Sequence, residues 1–460
     1  MPSFSEIAMR LINIKTMKVE SFDRKRPPYA ILSHWWSDNE TTFERFVDDN
    51  ERHGAGFQKI ESFCKFLTER VLPEERLEWC WVDTCCIDRR SSSELSEAVN
   101  SMAAWYAGSQ LCVAYLSDVP SQKTIAEAAV MDYVKESEWF SRGWTLQELL
   151  FSAELVFCDS EWDEIHGLDK NSVEGSAQIS TITGIPDHCI QKPDIIYHHC
   201  VADKMSWAAL RETTRVEDEA YCLLGLFNIN MPLLYGEGSK AFFRLQREII
   251  DRYEDESIFA WLDAHPACNE HRDKIMPLLA PHPSWFVYIS RVSTHRTLIE
   301  HRRPYRMTNR GLEIETSAIE FSGLQGYDRA ISASGEELLV IQMNCSAKFS
   351  CEASGRADNE PKLQSWLICL RRLVAHQQAS VYVNALCWTT GDTLWQELTR
   401  LKEASSGVTV RRRSPEKYYV AASNEQIWAS RSASIVEDNG QATRAVSSLD
   451  TLMEHFERLG

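Results

Sequence analysis

Eight residues at or just past the ends of apolar runs have the side chains for chemistry: Ser33, His34, Trp35, Asp83, Asp88, Arg142, Trp144 and Glu148. Glu148 lies in Phe140-Ser141-Arg142-Gly143-Trp144-Thr145-Leu146-Gln147-Glu148-Leu149, a loop that enters a helix. A carboxylate at the rim of a sheet can hydrogen-bond sugar hydroxyls and stabilise an oxocarbenium-like transition state. The competing and favoured reading is a purely structural one, in which it pairs with Arg142 or another base near the helix. His34 can act as acid or base near neutral pH. Of Trp35 and Trp36, one is expected to pack and the other to stack on a planar ring at the rim. Asp83 can bind a sugar hydroxyl or close a turn. Asp88, Arg142 and Trp144 are further candidates for contact with a substrate.

Asp83 and Asp88 bracket Cys85-Cys86. A thiol hydrolase pairing either cysteine with His34 is conceivable on residue types alone. No metal is expected there, because no C-x-x-C pair is present and adjacent cysteines cannot easily share a tetrahedral ion. The chain has neither G-x-G-x-x-G nor G-x-x-x-x-G-K-[ST], so a dinucleotide redox cofactor and a P-loop are unsupported. Tyr235-Gly236-Glu237-Gly238 either presents amides to an anion or simply breaks the chain and caps the next helix.

These residues need a scaffold of alternating strands and helices. Tyr29–Ser33, Trp79–Val82, Leu111–Leu116 and Leu155–Phe157 are short apolar runs of strand type. Between them, Phe57–Val71 has helical apolar spacing, and Ser93 can cap a helix carrying Leu95, Val99, Met102, Ala103 and Tyr106. The alternation predicts a doubly wound parallel sheet over residues 1–160. A helical extension follows over 161–264, with Val201–Leu210, Glu217–Leu226 and Ser239–Tyr253 as helices. His265–Pro283 reads as a linker. Gly311–Ile319, Glu337–Cys345, Ser365–Leu373, Ser380–Trp388 and Tyr418–Ala422 then predict a β-rich domain over 284–460, as an antiparallel sandwich or barrel.

The chain has 460 residues and a formal net charge of −18. That charge argues against tracking a nucleic-acid backbone. Its 14 cysteines have no regular spacing and several sit in apolar runs, as reduced cysteines do. No stretch approaches the ~20 apolar residues of a membrane span. A cytoplasmic protein that binds neither nucleic acid nor membrane is the expectation.

Four ordered segments carry a family resemblance. They are Tyr29-Ala30-Ile31-Leu32-Ser33-His34-Trp35-Trp36, Trp81-Val82-Asp83-Thr84-Cys85-Cys86-Ile87-Asp88, the Phe140–Leu149 run, and Asp218-Glu219-Ala220-Tyr221-Cys222-Leu223-Leu224-Gly225-Leu226-Phe227 with Met231–Gly238. Together they resemble the heterokaryon incompatibility (HET) domain of filamentous fungi over about residues 10–262, with Arg89 where that family usually has Gln. The resemblance implies a cell-death module of fungal non-self recognition. Its expected partners are further copies of itself or another incompatibility protein. Ser33–Phe43 and Ser141–Leu149 are also similar, more remotely, to TIR domains, which have a flavodoxin-like sheet. By that likeness, Glu148 would serve cleavage of NAD at the nicotinamide–ribose bond. NAD would then be a substrate, with no resident cofactor. A non-enzymatic scaffold that triggers death through a partner is the alternative.

Overall fold

The computed structural model describes residues 8–261 apart from 24 and 71–76, then 278–287, 304–309 and the later strands named below. The chain starts with a hairpin that the sequence reading lacks: β1 (Met9–Asn13) and β2 (Val19–Phe22) pair antiparallel. The connection between them is far too short for a parallel crossover. Then come β3 (Tyr29–His34), α1 (Phe43–Val47), α2 (Ala55–Arg70), β4 (Trp79–Trp81), the single turn α3 (Asp83–Cys86), α4 (Ser92–Ala107) and β5 (Leu111–Tyr115). They are followed by α5 (Glu127–Glu136), α6 (Glu138–Ser141), α7 (Thr145–Phe151) and β6 (Leu155–Cys158).

The six strands form one mixed sheet in the order β2-β1-β4-β3-β5-β6. β3 runs parallel to β4 and β5, and β5 parallel to β6. β1 pairs antiparallel with β4, so the expected all-parallel sheet is corrected at this edge. Every residue of β3 is buried. A strand covered on both faces reads as a continuous apolar run, which is why Tyr29–Leu32 lacks polar alternation. The chain leaves β3 toward β4 and then returns past it to β5. This reversal creates a topological switch point at the carboxyl ends of β3 and β5, the usual crevice for ligands in open α/β sheets.

Helix α4 is capped by Ser91, whose side chain accepts from the Glu94 amide, and not by Ser93. The cap starts the helix two residues earlier and leaves Glu94 free to bind Arg10 of β1. Helices α8 (Val173–Thr183), α9 (Asp187–Gln191), α10 (Val201–Ala208), α11 (Asp218–Tyr221) and α12 (Lys240–Arg252) complete this part. The expected helix over Glu217–Leu226 is only the four-residue α11 followed by turns, the last of them at Asn228 with φ 50°. No helix among the described residues is long and apolar enough to cross a membrane.

The described residues fall into two compact units, and residues 8–160 and 161–261 share the first. That unit also takes in Ala280–Phe286 and β7 (Ser290–Thr294). Most of the linker expected at His265–Pro283 lies outside the described residues. Of the later strands, β8 (Arg306–Thr308) and β9 (Gly311–Ser322) pair antiparallel. They are followed by β10 (Leu338–Lys348), β11 (Leu363–Ala375), β12 (Ser380–Thr390) and β13 (Thr409–Val420). β13 lies antiparallel to β9 and parallel to β12, so this set of strands is not wholly antiparallel.

Candidate functional site

The four sequence segments converge at the switch point. The first supplies Ser33, the penultimate residue of β3. Its hydroxyl donates to Glu148 Oε2 and accepts from Trp139 Nε1 at 2.7 Å. The Tyr106 hydroxyl of α4 also bonds the Glu148 carboxyl. Glu148 reaches this position because α7 begins on a tight device. The Thr145 hydroxyl faces the carbonyl oxygens of Trp139 and Arg142 at 2.5 and 2.8 Å and accepts from Arg211. The next residues of the helix then separate by role. Leu146 enters the core, Gln147 donates to the Cys222 carbonyl at 2.6 Å, and Glu148 meets β3.

Gly143 precedes this helix, and its amide donates to the Glu212 carbonyl at 2.8 Å. A Cβ there would lie 2.6 Å from Thr213 Cγ2, so any larger residue would have to displace the Thr213 side chain. Gly225, in the fourth segment, is constrained likewise. A Cβ would lie 2.3 Å from Gln147 Oε1 and 2.4 Å from Ala103 Cβ.

Around Ser33 and Glu148 the structure gathers charge and aromatic surface. Arg142 donates to the His34 carbonyl at 2.7 Å, and its guanidinium lies 4.9 Å from the Trp36 ring centre and 5.6 Å from that of Trp35. It does not pair with Glu148, although its charge lowers the carboxyl's pKa. Arg89 sits 3.8 Å from the Trp36 ring centre, and Trp36 Nε1 donates to Asp83 Oδ2 at 2.9 Å. Both Trp35 and Trp36 are half-buried, so neither is simply core. Trp144, also half-buried, bonds Asp218 instead. Asp88 is engaged by Arg90 through both oxygens, and this pairing holds its carboxyl down at about 2. Asp88 therefore closes a turn, and Trp144 braces the fourth segment.

Burial pushes the Glu148 carboxyl up to about 7, against the Ser33 hydrogen bond and the Arg142 charge, while Asp83 adds to the rise. A carboxyl in this range changes charge near neutral pH, the property of a tuned acid or base. His34 is buried, with both ring nitrogens outside hydrogen-bond range. Its Nε2 is 3.7 Å from Glu40 and 4.0 Å from Asp83. Burial and the nearby Lys59 lower its pKa, whereas Glu40 and Asp83 oppose the shift, and the Glu40 carboxyl, faced by His34 and Lys59, is held well below its usual range. Tyr106, Trp139, Glu40 and Lys59 were missed by sequence reasoning. They lie on four different elements or loops, and only Trp139 and Glu40 fall near the conspicuous segments.

The thiol reading fails at Cys85, since burial holds that thiol well above its ordinary value and the sulfur faces the Val82 carbonyl. The amides of the Tyr235–Gly238 turn do meet an anion. Gly236 and Gly238 both donate to Glu217 Oε1, at 2.7 and 3.0 Å, so a residue of the chain itself fills that nest.

Residues 29–130 match the family described as Heterokaryon incompatibility protein (HET). The chain contains a HET domain. The HET domain holds Ser33, Asp83 and Tyr106, whereas Trp139, Arg142 and Glu148 lie just past the matched range. Vegetative incompatibility protein HET-E-1 of Podospora anserina is 39% identical over 230 residues, which is 49% of this chain and 16% of that relative's length. Residues 240–318 match a domain of unknown function, DUF8212. No solved structure matches the chain.

Proposed function

We propose that this protein acts in heterokaryon incompatibility, the fungal response to non-self that ends in programmed cell death. We further propose that its HET domain acts by cleaving NAD when copies assemble in the cytoplasm. The role is supported by the HET match and by the similarity to a vegetative incompatibility protein. The chemistry rests on one observation. Ser33 and Glu148, 115 residues apart, meet at the switch point beside two guanidinium groups and two indoles. The indoles suit a planar base, the arginines suit a pyrophosphate, and the site lies where open α/β sheets bind ligands.

In that reaction water adds at the ribose C1′ and the bond to the pyridinium nitrogen breaks. Nicotinamide leaves as a neutral molecule, ADP-ribose forms and one proton goes to solvent. The leaving group needs no acid. Ionised Glu148 would instead stabilise the oxocarbenium-like transition state. The burial of Glu148, with its carboxyl bonded by Ser33 and Tyr106, favours a second reading. In it the carboxyl is structural and the domain triggers death by scaffolding a partner, such as another incompatibility protein.

Purified full-length protein incubated with NAD, with and without a crowding agent, separates the two. Nicotinamide release that is lost in Glu148→Gln and kept in Glu154→Ala supports cleavage. No release under any associating condition, from protein shown by circular dichroism to be folded, leaves the scaffold reading.

A further inference from the structure

A second constellation lies away from Glu148, where α9 meets the start of α10. Cys189 Sγ is 3.0 Å from His199 Nε2, and His199 Nδ1 is 3.2 Å from Asp203 Oδ2. The His188 ring stacks on His199 with centroids 5.6 Å apart. One donor atom from each of His188, Cys189 and His199 lies within 4.8 Å of the other two. We infer that His188, Cys189 and His199 bind a divalent cation of the zinc class, with Asp203 orienting His199 from behind.

The distances suit such an ion. A thiolate and an imidazole around one tetrahedral zinc are separated by about 3.5 Å. The observed 3.0 Å pair and the 4.8 Å limit bracket that value. The donor set is soft sulfur with imidazole nitrogen, which selects zinc or cobalt over calcium or magnesium. Asp203 accepts from His199 Nδ1, which fixes the tautomer and leaves the Nε2 lone pair facing Cys189. That is how carboxylates commonly support a metal-bound histidine. A nucleophilic Cys–His relay would use the same pair but would have no role for His188.

Binding converts the Cys189 thiol to a thiolate, and its proton goes to solvent. Cys189 is buried whereas His188 is exposed, so an ion can enter from the His188 side. Three protein ligands leave a fourth position for water. The ion would join α9 to α10 across the 3-10 turn Pro193–His198. His199 also packs on Trp207, whose carbonyl accepts from Arg211. Arg211 in turn donates to the Arg142 carbonyl and the Thr145 hydroxyl at the start of α7. The clip would therefore brace the segment that carries Glu148, whatever chemistry that residue performs.

The test is titration of chelator-treated full-length protein with cobalt(II). The expected result is a near-ultraviolet thiolate-to-cobalt charge-transfer band that saturates at one equivalent and is displaced by zinc. Cys189→Ser should abolish the band and Cys200→Ser should keep it. Asp203→Asn should weaken cobalt binding by about 10–100-fold. His188→Ala, at an exposed position, should weaken binding with the circular dichroism spectrum unchanged, which covers the case of a Cys189 variant that does not fold. No band in the wild-type protein, or a band that survives in both Cys189→Ser and His188→Ala, overturns the site.

Discussion

Ser33 and Glu148 are joined by a buried hydrogen bond whose donor hydroxyl also accepts from Trp139. The bond ties β3 to α7, and Trp139 ties α6 to both. Ser33→Ala would leave a buried carboxyl short of a donor and the Trp139 indole short of an acceptor. Such losses cost about 1–3 kcal/mol. Urea unfolding should show a drop of that size. Because the two bonds share one oxygen, Trp139→Phe should cost less in the Ser33→Ala background than alone. Additive costs would show that the hydroxyl does not couple them.

Glu148 should make the fold lose stability as pH rises. Its folded pKa, about 7, lies above the ordinary carboxyl value of 4.5, so the native state holds the proton more tightly than the unfolded chain. The contribution is fully present below pH 4.5 and is lost on the way to about 7. The shift corresponds to roughly 3 kcal/mol at 1.36 kcal/mol per unit. Glu148→Gln removes the titration. The stability of the variant minus that of the wild type should therefore rise by about that amount across this window, whatever constant offset the amide introduces. Denaturant melts at several pH values measure it, and a flat difference would contradict the burial of an ionisable Glu148.

The same carboxyl sets the pH dependence of the proposed cleavage. Only the ionised form stabilises a cationic transition state, so nicotinamide release should rise with pH through about 7. Glu148→Asp shortens the reach to the ribose and should lower kcat far more than it raises KM. A pH-independent rate would remove Glu148 from the chemistry.

What the sequence showed and what it hid follow from the range of the forces involved. The strands at Tyr29, Trp79, Leu111 and Leu155 were legible because strands covered on both faces are continuously apolar. Glu148 and Ser33 were conspicuous because both fall in motif-like runs, but their contact spans 115 residues and no local pattern encodes it. β1 and β2 were hidden since Val19-Glu20-Ser21-Phe22 is an edge strand with exposed polar residues. Asp88 looked like a site residue because turn-closing and ligand-binding aspartates have the same local sequence. Only the position of Arg90 separates them. His188, Cys189 and His199 gave no signal because an irregular spacing folds across a 3-10 turn.

Gly225 should be replaceable only together with Ala103. A methyl group at Gly225 would overlap Ala103 Cβ and the Gln147 amide. Overpacking of this kind costs about 1–3 kcal/mol. Gly225→Ala should therefore lower Tm, and Ala103→Gly in the same chain should recover part of the loss, though glycine within α4 carries its own cost of about 1 kcal/mol. The cross-check is Gln147→Ala, which clears the second overlap but leaves the Cys222 carbonyl without its donor. That variant should not rescue the fold.

His34 should impose the opposite pH dependence to Glu148. Burial and Lys59 lower its pKa below 6.5, so the unfolded chain binds the proton more readily than the native one. Its contribution is present above pH 6.5 and is lost as pH falls toward the folded value. The groups facing it are Glu40, Asp83 and Lys59, and protonation of His34 would be favoured by the first two and opposed by the third. Between pH 4.5 and 6.5 the two sites oppose each other, with Glu148 favouring the acid side and His34 the neutral side. His34→Gln should therefore shift the pH of maximal stability downward, and Glu148→Gln should shift it upward. Because the Asp83 charge acts on both His34 and Glu148, the double variant should depart from additivity in this window. Identical pH optima in the wild type and both single variants would show that neither group is buried in the state the structure assigns.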